Sequence, residues 1–228
     1  MLISVHLPKT AGSSFQHILR REYGDKMLLD YEDKPINTPA DERNRKALAD
    51  ASANASRDFG EIQCIHGHFQ PVKYLALKKT GRAKFACWLR EPLARMVSHY
   101  NFWLRDYDGG IGKGDLHCKV VEDKWSLEHF CFSDEMRNFY AQFLWSFPLG
   151  LFDFVGITEH FDEDLQIFGR TFFNKGNLKT EKVNIAPPNS PRWSPSDDFR
   201  RQFESYHTED YQIYRQACIK SDNQKSQP

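Results

Sequence analysis

Residues 2–19, LISVHLPKTAGSSFQHIL, decide the fold. Residues 2–7 (LISVHL) are rich in β-formers and predict a strand. Residues 8–14 (PKTAGSS) form a turn of small residues around one lysine, Lys9. From Phe15 onward, Phe15, Ile18 and Leu19 fall at helical spacing. A strand, a tight turn bearing Gly12 and a helix start make a place for an anion. Unpaired N–H groups at the helix N-terminus point into the turn, and the helix dipole favours negative charge there. Small residues let a ligand approach the backbone, and Lys9 adds a full positive charge. The same pattern also fits an ordinary strand-to-helix turn with Ser13 or Ser14 as N-cap.

The rest of the chain is compatible with one such α/β unit. It has 228 residues, enough for a full core, and 40% hydrophobic residues exclude wholesale disorder. Lys plus Arg and Asp plus Glu are both 31. No global field therefore argues for nucleic acid or membrane, and a polyanion site must be a local patch. The 18 Phe and 5 Trp suit both core packing and a ring-binding cleft. No run of 18 apolar residues exists, so no membrane span and no signal peptide are expected. Five cysteines without CxxC spacing, three of them in apolar runs, read as reduced thiols.

Along the chain, residues 25–39 read as a loop and 41–58 as an exposed helix. Residues 62–69 read as a short strand running into a turn, and 72–79 as a brief helix. Residues 84–89 (KFACWL) form the near-continuous apolar run of a buried parallel strand. Arg90-Glu91-Pro92 opens a second strong helix, with Pro92 at its first position and a stripe of Leu93, Met96, Val97 and Tyr100. Residues 106–115 carry four glycines and read as a lid or linker. Their GGIGKGD follows no strand and puts Asp where a phosphate loop has Ser or Thr. Helices are expected over 126–132, 134–146, 163–172 and 197–219, and a strand over 152–157. Residues 175–195 read as a loop and 220–228 as a disordered tail. The expectation is one domain over 1–219: an α/β, P-loop-like three-layer fold with a central parallel sheet flanked by helices. Ligands in such sheets lie beyond the carboxyl ends of the strands, where Lys9, His68 and Arg90 would all fall.

Three strand-end turns carry the chemistry. The first holds Lys9, the second His66 and His68, and the third Arg90, with Ser98 on the helix that follows. Two separate cationic turns suit a ligand with anionic groups at two places. Histidine titrates near neutrality and suits a base. His66 and His68 share a side with Cys64 if the strand continues. That CxHxH spacing has no clear further ligand set, His117 and Cys118 being remote, so no metal is expected. Arg95, five residues after Arg90, reads as a surface or substrate residue.

These residues resemble sulfotransferases that use 3′-phosphoadenosine 5′-phosphosulfate (PAPS). PKTAGSS looks like their 5′-phosphosulfate loop. Residues 90–100 (REPLARMVSHY) look like their 3′-phosphate motif, with Arg90 and Ser98 eight residues apart. His66-Gly67-His68 resembles the His-Gly-His of heparan sulfate and uronyl 2-O-sulfotransferases. Residues 136–144 resemble a family helix carrying Asn and Gln, here Asn138 and Gln142. The loop at Lys179 and Lys182 resembles one that covers the nucleotide.

The resemblance implies PAPS as donor and 3′-phosphoadenosine 5′-phosphate as product, without a metal. Backbone N–H groups of Thr10, Ala11, Gly12, Ser13 and Ser14 would hold the 5′ end, and Arg90 and Ser98 the 3′-phosphate. Lys9 would sit on the leaving oxygen. His68, or else His66, would be the base, and a carbohydrate or other hydroxyl would be the acceptor. If Met1 is the native start, the expected compartment is the cytoplasm; a Golgi lumen would require a removed N-terminal anchor. A P-loop kinase and a non-catalytic nucleotide- or glycan-binding module are the alternatives. The kinase needs Lys after the glycine, whereas Lys9 precedes Gly12. The sequence leaves oligomeric state open.

Overall fold

The computed structural model describes residues 1–33, 35–36, 38–179 and 193–226. Lys182, and with it most of the loop expected to cover a nucleotide, lies outside them.

In chain order the main elements are β1 (Leu2–Val5), α1 (Gly12–Tyr23), β2 (Met27–Asp30), α2 (Ala40–Ala55) and β3 (Cys64–Gly67). Then come α3 (Leu75–Lys79), β4 (Lys84–Leu89), α4 (Pro92–Asp106), α5 (Asp115–Glu122), α6 (Leu127–Cys131) and α7 (Phe139–Phe143). The last are β5 (Phe154–Ile157), α8 (Phe161–Phe173), α9 (Asp197–Tyr206) and α10 (Thr208–Lys225). Among the described residues the five strands are all parallel, in the order β2-β3-β1-β4-β5. This is the expected α/β sheet flanked by helices, with β1 at its centre.

Alternation along the strands builds the three layers. Ile3 and Val5 of β1, Phe85, Cys87 and Leu89 of β4, and Val155 and Ile157 of β5 pack on one face, against Leu77, Leu93, Met96, Phe139 and Ala217. Leu2, Cys64, Ala86, Trp88 and Phe154 pack on the other, against Phe15, Ile18 and Leu19 of α1 and Leu165 and Phe168 of α8. Phe15 meets Phe168 edge-on at 4.8 Å and Trp88 at 5.4 Å. Contacts of this kind, worth about 3–5 kcal/mol for a buried Phe, fix the helix that follows the Lys9 turn.

Several elements differ from what the sequence predicts. Residues 27–30 form the edge strand β2, although 25–39 reads as a loop; Met27, Leu28 and Leu29 pair with β3, and two prolines downstream mask the signal. Residues 115–122, over which the sequence predicts no element, form α5. The helix expected over 134–146 breaks at Asn138, whose φ of 49° is left-handed. Its carboxy-terminal part, α7, is capped from a distance: Asp210 accepts from Tyr140 N at 2.7 Å and Ala141 N at 3.3 Å.

The helix expected over 197–219 is two. His207 divides it, accepting from Asn138 N at 3.1 Å and donating to the Cys131 carbonyl at 2.7 Å. The disordered tail expected from residue 220 is corrected for 220–225, which continue α10; residues 227 and 228 lie outside the described residues. Ser221 donates to Asp164 at 2.9 Å. The Gln224 amide pairs with both N and O of Val155 at 2.9 Å, closing the outer edge of β5 as another strand would.

Candidate active site

The central strand and its two neighbours deliver the site. The carboxyl end of β1 runs into Lys9 and the loop, that of β3 into His68, and that of β4 into Arg90. The three stretches singled out in the sequence therefore meet at one edge of the sheet.

The loop is held in an uncommon backbone. Lys9 (φ 69°) and Ala11 (φ 65°) are both left-handed, a conformation that costs non-glycine residues free energy and concentrates at functional sites. Thr10 is buried and donates its hydroxyl to the Leu7 carbonyl at 2.8 Å, which pins the turn. The N-cap of α1 is Ala11 rather than Ser13 or Ser14, and no side chain caps it. The first turn of α1 also lacks an acidic residue. Backbone N–H groups at a helix N-terminus without a side-chain cap suit an anion.

Gly12 is required by its neighbour. A Cβ there would fall inside the His6 imidazole. Gly12→Ala is therefore expected to push the loop off the His6 ring and to weaken anion binding at least tenfold, measured by calorimetry. Unchanged binding would show that the loop is not the cradle.

Lys9 extends from the loop onto α4. Its Nζ lies 3.9 Å from the centre of the Phe102 ring, and the Arg105 guanidinium lies 5.9 Å from the same ring. Partial burial lowers Lys9 from the ordinary lysine range to about 8, with nearby Arg105 and Arg90 adding to the shift and Asp106 opposing it. Lys113 holds Asp106 at 2.9 Å. The glycine-rich segment after α4 thus packs back on the helix end.

Arg90 is half-buried, and no hydrogen bond or ion pair engages its guanidinium among the described residues. Its backbone is clamped instead: the Tyr140 hydroxyl accepts from Arg90 N at 3.0 Å and donates to Arg90 O at 2.6 Å. Ser98 is half-buried on α4, on the same face as Phe102 and Arg105. Glu91 belongs to the scaffold. Its carboxylate caps α4 through Leu93 N (3.2 Å) and Ala94 N (2.6 Å) and accepts from the Tyr211 hydroxyl at 2.6 Å.

The two histidines separate into different environments because β3 ends at Gly67. His66 is fully buried, its Nδ1 hydrogen-bonded to Ser4 Oγ at 2.8 Å and its Nε2 without a hydrogen-bond partner among the described residues. His68 is half-buried beyond the strand end, and its Nδ1–H donates to the His6 carbonyl at 2.6 Å. That bond fixes the tautomer: Nε2 of neutral His68 carries the free lone pair. Burial lowers His66 to about 3, helped by His68, and lowers His68 to about 4 against the hydrogen bond to the His6 carbonyl. Both rings are therefore neutral near neutral pH.

Other residues that the sequence singles out make contacts within the scaffold. Arg95 is not on the surface; it is entirely buried, with its guanidinium 3.7 Å from the Phe139 ring centre and 3.3 Å from His99 Nδ1. Asn138 pairs with Glu209 at 2.9 Å. Gln142 accepts from Arg43 at 3.0 Å and donates to the carbonyls of Glu135 and Arg137. His6, Tyr31, Phe102, Arg105 and Tyr140 join the site without a clear mark in the sequence. Phe102 and Arg105 are legible there only as the residues four and seven positions after Ser98. His6 shows only as the residue three before Lys9, and Tyr31 is hidden with β2.

A hollow of about 410 Å³ opens beside Ser14, walled by Thr158, Glu159 and Phe161. A larger one, of about 600 Å³, lies away from these residues, around Lys119, Trp125 and His129. No helix among the described residues is long and apolar enough to cross a membrane.

No protein-family model and no curated protein matches the chain. Among solved structures it is similar to one titled as a sulfotransferase from Alicyclobacillus acidocaldarius, at 15% identity and a TM-score of 0.45. The alignment covers 92% of this chain and 91% of that one.

Proposed function

We propose that this protein transfers the sulfuryl group of PAPS to an acceptor hydroxyl, with His68 as the general base. The observation that carries this reading is the convergence, at the carboxyl end of the sheet, of the Lys9 loop, of an Arg90 guanidinium unengaged among the described residues, and of a histidine of fixed tautomer. The residues fit such a donor. The N–H groups at the start of α1 suit its 5′ end, Arg90 offers a planar fork to a second phosphate, and Ser98 on α4 offers a hydroxyl. PAPS when bound supplies an activated sulfuryl group and a phosphate leaving group.

The chain's own groups then have distinct tasks. His68 Nε2 takes the acceptor's proton as its oxygen attacks. Lys9 neutralises the charge that develops on the leaving oxygen, a task suited to a movable ammonium. Thr10 holds the loop in the shape that presents its N–H groups. His66, sealed in the interior, supports the strand end rather than serving as base. The similarity of His66-Gly67-His68 to carbohydrate 2-O-sulfotransferases is what supports a carbohydrate acceptor.

The test begins with binding. The product nucleotide, 3′-phosphoadenosine 5′-phosphate, is expected to raise the unfolding temperature without Mg²⁺. At a hundredfold excess over Kd, a ligand specific for the native state adds about 2.7 kcal/mol. Stabilisation by ATP with Mg²⁺ but not by this nucleotide would replace the reading with a kinase. An acceptor screen with labelled PAPS, using Lys9→Ala as the blank, then separates an enzyme from a binding module.

A further inference from the structure

His6 lies between the loop and the base, and the proposed chemistry gives its side chain no task. Its backbone brackets the end of β3: its N–H donates to the Gly67 carbonyl at 2.8 Å, and its own carbonyl receives the His68 Nδ1–H at 2.6 Å. Its ring stands between the two other imidazoles, 5.0 Å from His66 and 4.3 Å from His68. The Nδ1 edge of the ring is hydrogen-bonded to the Tyr31 hydroxyl at 2.8 Å. Tyr31 also presents its own ring to His68, edge-on, at 4.7 Å. The Nε2 edge lies against Gly12, where only a glycine leaves room. One side chain thus touches the anion loop on one edge and the base ring on its face.

We propose that His6, held by Tyr31, is a positioning residue that sets the orientation of His68 relative to the phosphate loop. The inference rests on the reading of His68 as base. The logic is that of a base oriented by a third group, here with the contact made by a ring face and a backbone carbonyl rather than a carboxylate. A neutral orienter is what this location allows. His66, His68 and Lys9 all face it, and burial together with these neighbours holds His6 well below the ordinary imidazole range.

The variants are Tyr31→Phe, which removes only the hydroxyl that anchors His6, and His6→Leu, which is no longer than the imidazole but loses that anchor. Both are expected to bind 3′-phosphoadenosine 5′-phosphate within about threefold of wild type. Both should lower kcat about 10²-fold, the scale of a misdirected reacting group, and leave the donor KM nearly unchanged. Nitrogen-15 spectra of the imidazoles supply a readout independent of turnover. Wild-type His68 should be a single Nδ1–H tautomer, and each variant should show a mixture, with the ring titrating at higher pH. A pure Nδ1–H tautomer in both variants would overturn the proposal, as would kcat within twofold of wild type. Loss of nucleotide binding in proportion to kcat would also overturn it, since His6 would then serve the loop alone. If the wild type transfers no sulfuryl group, the functional reading falls, while the tautomer spectra still decide whether His6 and Tyr31 orient His68.

Discussion

Lys9→Ala is expected to lower turnover about 10²–10³-fold, the cost of removing one group that stabilises charge in a transition state. The loop should survive, because its shape rests on Thr10 and on the packing of Phe15 rather than on the lysine side chain. Nucleotide binding should therefore fall far less than turnover. Lys9 also predicts an alkaline limb. Its ammonium titrates near 8 in the free protein, so kcat/KM should decline as pH rises through that value. A bound polyanion favours the charged form, and the limb of kcat should lie higher. Turnover of Lys9→Ala within tenfold of wild type would remove Lys9 from the chemistry.

His68→Ala is the second large effect. General-base catalysis contributes about 10²–10⁴-fold, and a loss of that size is expected with nucleotide binding kept. The pH dependence distinguishes His68 from an ordinary surface histidine. Burial holds it neutral down to about 4. The acid limb of kcat/KM should lie there rather than near 6.5, provided the fold persists.

The sign of the stability effect follows from the same shift. Between about 6.5 and 4 the unfolded chain binds a proton that folded His68 refuses. The contribution of neutral His68 is whole above about 6.5 and is lost as pH falls towards 4. His68→Ala should flatten the fall of stability across that window. An acid limb near 6.5 in the wild type would point to a different, exposed base.

The sheet is legible in the sequence because its strands announce themselves. Residues 84–89 are apolar almost throughout, and β4 covers those same residues. Residues 2–7 lead directly into a glycine-bearing turn. The edge strand β2 is not legible, since four residues beside a proline-rich stretch give too short a pattern. The breaks at Asn138 and His207 are also hidden. They rest on the bond between these two residues, some seventy positions apart, and helical periodicity alone runs straight through both.

The site divides in the same way. Lys9, Arg90 and His68 stand at strand ends that the sequence marks. The distinction between His66 and His68 does not show in it, because the end of β3 at Gly67 decides which ring is sealed. His6 is equally silent. Its role comes from touching Gly12, Tyr31 and His68 at once, which only the folded chain brings about.

The clamp on Arg90 has a consequence for how the protein is made. Tyr140 grips Arg90, and α7, which carries Tyr140, is itself capped by Asp210 of α10. The loop with Lys9 leaves the ribosome about two hundred residues before that cap does. Domains fold as units, and contacts of long sequence separation form late. The Arg90 turn gains the Tyr140 grip, with its Asp210 cap, only once α10 has emerged. Nascent chains stalled before Asp210 would lack the cap on the helix that grips Arg90.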